Sequence, residues 1–304
     1  MLANKLEFGD TIAVVAPAGF EDNSLIDEKI SIISSLGFNI KRAEHLYNKY
    51  GYLAGQDIDR AKDVMDAFLD DSVKAIICFR GGYGSLRILP YLNFEIIRKN
   101  PKIFMGFSDI TALLNAIYEK SSLITFHGPM INSDMMNIYN LKSFVNTLMK
   151  NSDTFEIINP KTNMMRFYGS ESADGILVGG NLSLICSTLG TDYEIDTKDK
   201  ILFIEDVDEE PYKIDRMLTQ LKLCNKLSEC KGFIVGDFID CHSSNSMSFS
   251  LEEVLKKDLL SFNKPTVIGI SSGHGSTNLI LPIGARCKIN TNEKKIEICE
   301  RLLV

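Results

Sequence analysis

The chain has 304 residues, 45% of them apolar and 24% charged, and a formal net charge of −7. Its length exceeds what one small core needs, so two domains are expected. The acidic balance, with no Lys/Arg-rich stripe carrying interleaved aromatics, speaks against a nucleic-acid partner. The N-terminal MLANKLEFGD lacks a basic segment followed by an apolar one, and no apolar run reaches membrane-span length, so a soluble cytoplasmic protein with no membrane partner is expected. The Cys and His residues are scattered without C-x-x-C or H-E-x-x-H spacing, which predicts reduced thiols and no metal site.

TIAVVA, residues 11–16, is a β-branched run that predicts a buried parallel strand, with Pro17, Ala18 and Gly19 in the loop at its carboxyl end. Ser24 is placed to cap a helix carrying Ile26, Ile30 and Ile33 and ending near Gly37, and residues 38–43 return as a second strand. Residues 57–68 form the next helix, with Ile58, Ala61, Val64, Met65 and Phe68 on one face, followed by the buried strand 73–79. That strand runs into RGGYGSLRILPYL. A glycine-rich turn there either satisfies a tight backbone reversal or points N–H groups of Gly81 and Gly82 at negative charge, with Arg80 and Arg87 as carboxylate partners.

KIFMGFSDITALLNAIYEK changes period at residues 106–109: Ile103, Phe104 and Met105 read as a strand, and Ile110, Leu113, Leu114 and Ile117 recur at helical spacing. Ser108 sits at the turn. It is either a helix cap or a nucleophile exposed at the sheet end, beside the first N–H groups of the helix. LITFHGPM, residues 123–130, is another strand, and His127 is either a base for Ser108 or a structural imidazole. Polar residues thicken over 132–162, around an apolar helix-like piece at 144–149. The expected organisation is a first domain over 1–135, which carries Ser108, a crossover over 136–168 and a second domain over 169–304.

In the second part, residues 175–178 lead into GGNLSLICSTLGT, a Gly-Gly turn opening a helix with Leu182, Ile185, Cys186 and Leu189 on one face. ILFIEDV is a buried strand ending on acids that must be partnered or exposed. Pro211 suits the first turn of a helix bearing Ile214, Met217, Leu218 and Leu221, whose N-terminus Glu209 and Glu210 complement. GFIVGDF is a further strand, and Ser250 with Glu253 forms a capping box. His274 stands between Gly273 and Gly275 in a small-residue loop, where it is either solvated or catalytic.

Together, the RGGYGS turn, the GFSDIT elbow, FHGPM, the GGNL turn, IEDVDEEPYKIDRML and the GHG loop resemble the LD-carboxypeptidase family of serine peptidases, in the family's order and nearly end to end. The resemblance implies an N-terminal flavodoxin-like (class I glutamine amidotransferase-like) parallel-sheet domain and a C-terminal swivelling β/α domain, with the active site between them. It further implies a Ser-Glu-His triad of Ser108 as nucleophile, Glu205 as orienting carboxylate and His274 as base. The backbone N–H groups of Gly82 and Asp109 become the oxyanion hole, no cofactor is needed, and a homodimer is expected. The implied reaction removes the terminal D-alanine from a murein tetrapeptide. A relative with a similar triad hydrolyses peptidyl- or aminoacyl-nucleotide antibiotics. That relative tends to carry Tyr where FHGPM has His127 and adds aromatic features in insertion loops, so a chain without Trp favours the carboxypeptidase. A non-catalytic binding protein on the same fold is the remaining class, and a serine-directed probe would separate it.

Overall fold

The computed structural model describes residues 1–150, 152–169 and 172–304. The described chain divides into two compact units: Met1–Ser152 with Leu279–Gly284 and Arg301–Val304, and Asp153–Asn278 with Ala285–Glu300. The division differs from a simple succession of two domains, because short late segments return to the first unit.

The first unit is built on β1 (Thr11–Val15), β2 (Asn39–Arg42), β3 (Val73–Cys78), β4 (Ile103–Gly106) and β5 (Thr125–His127), all parallel, in the order 2-1-3-4-5. The returning segment Leu281–Ile283 closes the β5 edge as an antiparallel strand. Val14, Ile77, Met105 and Phe126 lie in register across β1, β3, β4 and β5 and are all buried, which is why these strands read as unbroken apolar runs. Helices α1 (Asn23–Ser35), α2 (Asp57–Leu69), α3 (Ser85–Ile88), α4 (Phe94–Lys99), α5 (Thr111–Ser121) and α6 (Ile138–Phe144) belong to this unit.

Two local expectations are corrected. The N-cap of α1 is Asp22, not Ser24, and its carboxylate is drawn to Lys49 at 2.8 Å instead of the helix N–H groups. Ile58 is 60% exposed, because Arg60 and Asp63 take the inner face of α2, where each is satisfied: Arg60 by Asp57 and the Gly84 carbonyl, Asp63 by His45.

The second unit is a mixed sheet. β6 (Phe155–Glu156), β7 (Arg166–Tyr168), β8 (Ser172–Asn181), β9 (Ile201–Val207), β10 (Gly232–Ile239), β11 (Thr266–Ile268), β13 (Arg286–Asn290) and β14 (Lys295–Ile298) run in the order 6-14-13-8-9-10-11-7, while β12 is the Leu281–Ile283 strand of the first unit. Strands β8 to β11 are mutually parallel. Helix α7 (Leu182–Thr188) starts on Asn181, whose side chain accepts the Leu184 N–H. Helix α8 (Pro211–Leu223) has Pro in its first turn and buries Ile214, Met217, Leu218 and Leu221, as the spacing predicts. After the short α9 (Lys226–Glu229), α10 (Leu251–Leu259) opens with the Ser250/Glu253 capping box. Among the described residues no helix is long and apolar enough to cross a membrane.

Candidate active site

Ser108 lies two residues past the end of β4 and adopts φ 62°, a left-handed conformation that a non-glycine residue holds only when its surroundings enforce it. The enforcement comes from both sides. A Cβ at Gly81 would lie 2.9 Å from Ser108 Cβ and 3.3 Å from Asp109 N, so only glycine lets the turn after β3 lie this close to the elbow. Asp109, expected to act through its backbone, is also anchored by its buried side chain: the carboxylate accepts the Ser85 N–H at 2.8 Å, and its carbonyl accepts the Ser85 hydroxyl. Gly82 has φ 112°, which turns the backbone back towards the loop after β1. There the Gly19 N–H donates to the Gly81 carbonyl at 3.2 Å. The carboxyl ends of β1, β3 and β4 thus converge, where open parallel sheets bind ligands.

The two arginines of the glycine-rich turn differ. Arg87 is bidentate on Asp57, at 2.8–3.0 Å, and is committed to a structural pair. Arg80 lines a cleft of about 660 Å³ together with Gly19, Phe20, Glu21, Tyr52 and Gly82. Its Nη1 donates to Glu21 at 2.9 Å and to the Phe20 carbonyl at 3.3 Å, while its buried Nε has no partner among the described residues. His127 is fully buried in β5, in register with Gly106 and Leu281, and stacks edge-on against Phe107. It is a core residue of the first sheet.

In the second unit, β9 carries Glu205 into the interior with no exposed side-chain surface, and its Oε2 lies 2.7 Å from His274 Nδ1. A carboxylate can only accept, so the proton of the neutral ring belongs on Nδ1 and Nε2 is left as the atom for proton transfer. Burial alone would lower the imidazole's pKa. The hydrogen bond and charge of Glu205, joined by Asp206 and Asp208, outweigh burial and raise it above the ordinary histidine value. Burial likewise lifts the Glu205 carboxyl, against the pull of His274 and Asn181. The ionised carboxylate is the form this geometry supports, since the Nδ1–H of His274 donates to it.

The acid next in sequence, Asp206, is buried too. It accepts from Asn181 Nδ2 and from the N–H and hydroxyl of Ser183, all at 2.8–2.9 Å, and so joins β9 to the start of α7. Glu209 pairs with Lys213 one helical turn on, and Glu210 is the N-cap of α8, in keeping with helix-terminal roles. Among the described residues no group of three or more His, Cys, Asp or Glu side chains is arranged to hold a metal ion.

Residues 12–128 match the LD-carboxypeptidase N-terminal domain and residues 174–289 the LD-carboxypeptidase C-terminal domain. The chain belongs to the LD-carboxypeptidase family. Within that family it is similar to a probable murein peptide carboxypeptidase of Bacillus subtilis, with 44% identity over 95% of this chain and 91% of the relative. The solved structure of the microcin C7 self-immunity protein MccF in its wild-type apo state superposes with a TM-score of 0.93 at 26% identity, over 100% of both chains. A muramoyltetrapeptide carboxypeptidase from Oxalobacter formigenes gives a TM-score of 0.80 at 27% identity, over 95% of this chain and 97% of that one. Family membership makes the protein a serine carboxypeptidase-type hydrolase with a mixed α/β fold.

Sequence reasoning missed two groups near these residues. Glu21, the partner of Arg80, lies 59 positions away and carried no local signal. Asp237, beside the His274 loop, was read only as part of a strand, although Gly236 before it is the usual mark of a bulge.

Proposed function

We propose that the protein removes the terminal D-alanine from murein tetrapeptide, with Ser108, Glu205 and His274 as its catalytic triad. His274 Nε2 takes the proton of Ser108 Oγ as the oxygen adds to the scissile carbonyl carbon. The oxyanion that forms is met by the N–H groups of Gly82 and Asp109. The imidazolium then protonates the departing amine, and D-alanine leaves. Water, deprotonated by His274, cleaves the remaining ester and restores the serine. Glu205 keeps its charge throughout and holds the ring in its working tautomer. The observation that carries this reading is the 2.7 Å contact between fully buried Glu205 and His274, which fits a base and its orienting acid better than a packing role.

A carboxypeptidase must recognise the free carboxylate beside its scissile bond. Arg80, with Gly81 and Gly82 next to it, is the group we assign to that task, since Arg87 is held by Asp57. The 2-1-3-4-5 strand order supports reading the first unit as flavodoxin-like. A cytoplasmic homodimer acting on recycled wall peptides completes the proposal. The close superposition on MccF favours one second reading, hydrolysis of an aminoacyl- or peptidyl-nucleotide amide.

Mass spectrometry of a murein tetrapeptide incubated with the protein tests the proposal: loss of one alanine is expected, and Ser108→Ala abolishes it. Intact tetrapeptide beside a cleaved nucleotide amide would select the second reading. Amidating the terminal carboxylate should lower kcat/KM by roughly two to three orders of magnitude, the scale of one or two lost charge-assisted hydrogen bonds. Equal rates would remove Arg80 from substrate recognition.

A further inference from the structure

Strand β10 contains a bulge opposite Glu205. Val235 pairs with Ile204 and Phe238 with Asp206, so Gly236 and Asp237 together face the single residue Glu205. A bulge re-aims a side chain that regular alternation would send elsewhere. Here it brings Asp237 to the loop that carries His274: the Asp237 N–H donates to the Ser272 carbonyl at 3.0 Å, and its carboxylate accepts the Gly275 N–H. The packing is close on both sides of the histidine. A Cβ at Gly275 would lie 2.6 Å from Asp237 Oδ2, and one at Gly273 would lie 2.7 Å from Glu205 Oε2. The two glycines that flank His274 are therefore pressed against two different carboxylates.

We propose that Asp237 is a positioning residue for His274: it holds the loop through the Gly275 N–H and, with Glu205, sets a second negative charge beside the imidazole. The inference rests on the reading of His274 as the base. Glu205 grips the ring, and Asp237 grips the backbone that carries the ring. Without the second hold, rotation of the loop would move Nε2 although the Glu205 contact survived.

Burial, reinforced by the negative charge of Glu205, lifts the Asp237 carboxyl to about 6, while the Gly275 N–H and His274 pull against that rise. Other charges are accounted for. Arg166 on β7 and Glu252 on α10 line the same cleft as Asp237 but bond to each other at 2.8 Å and are about half exposed. Asp206 and Asp208 add their charge to the field at His274. Above about pH 6 Asp237 is an anion and favours the imidazolium. As pH falls through that value the anion is neutralised and its support for the imidazolium disappears.

The test compares Asp237→Asn with Asp237→Ala, following His274 by NMR of the ring-labelled protein, its signal identified by loss in His274→Ala. The Asn variant keeps an oxygen acceptor for Gly275 but no charge. Its His274 midpoint should fall by about half to one pH unit, with kcat within about five-fold of the parent. The Ala variant loses the acceptor as well, and kcat should fall about 10- to 100-fold with KM little changed. A purely structural aspartate would alter melting temperature and leave the midpoint where it was. An unmoved midpoint in Asp237→Asn overturns the proposal whether or not Asp237→Ala folds. Full activity in His274→Ala would instead overturn the assignment of the base, and the titration would still report whether Asp237 acts on that ring.

Discussion

Each unit places a buried aspartate immediately after a residue of the proposed triad and ties it to a serine in the first turn of a helix. Asp109 follows Ser108 and accepts the Ser85 N–H; Asp206 follows Glu205 and accepts the Ser183 N–H. The neighbours they steady are held differently. Ser108 keeps a left-handed backbone against a turn that has no room for a methyl group, so its position is a matter of shape. Glu205 sits in a strand with its charge buried against an imidazole, so its effect is a matter of electrostatics. The first region should tolerate changes of pH, and the second should respond to them.

The largest expected effect removes either reacting group. Ser108→Ala and His274→Ala should each lower kcat by several orders of magnitude, and the double variant should lose little more than either, as members of one catalytic unit do. Near-normal turnover by Ser108→Ala would sink the triad. Next comes Glu205→Gln, for which about a hundred-fold loss is expected, since residual orientation by hydrogen bonding survives the loss of charge. The acid limb of its pH–rate profile should also move. Activity requires the neutral imidazole, Glu205 raises the imidazole's pKa, and its neutralisation therefore shifts the limb to lower pH.

Gly81→Ala sharpens the contrast. The added methyl group should cost about ten- to a hundred-fold in kcat by displacing the elbow, with the pH profile unmoved. A shifted limb in this variant would show that the elbow is not governed by shape alone. Smaller still is Asp109→Ala, which leaves the buried Ser85 N–H without its acceptor and should destabilise the protein by about 1–3 kcal/mol, read by thermal or urea denaturation. Asp109→Asn, which retains an acceptor, should recover most of that. The smallest effect belongs to Arg87→Ala: an exposed ion pair contributes little, and kcat/KM should stay within two-fold.

Much of the local architecture was readable. The apolar runs of β1, β3, β4 and β9, Pro211 in the first turn of α8 and the Ser250/Glu253 box each carry their signal within a few residues. What depends on distant residues was not. Glu205 and His274 are 69 positions apart, and no spacing rule joins them; only the family resemblance paired them before the structure did. The fate of Arg80 and Arg87 depended on Glu21 and Asp57, which are remote in the chain. The family resemblance implied a role for the Asp109 N–H, whereas its carboxylate finds Ser85 through tertiary packing that no local pattern announces. The strand Leu281–Ile283 was read with the second domain, since three residues including a proline give no hint that they pair with residues 125–127.

That returning strand bears on how the chain is made. While residues up to 152 have emerged from a ribosome but 281–283 have not, one edge of β5 offers unpaired N–H and C=O groups beside the Ser108 elbow. At 5–20 residues per second the wait is on the order of ten seconds, long compared with the collapse of a small domain. During that interval the nascent first unit carries an open sheet edge that another chain could occupy, so chaperone capture or strand exchange between neighbouring nascent chains has its opportunity there. The segment that closes the sheet is made only after residues 153–278 of the second unit.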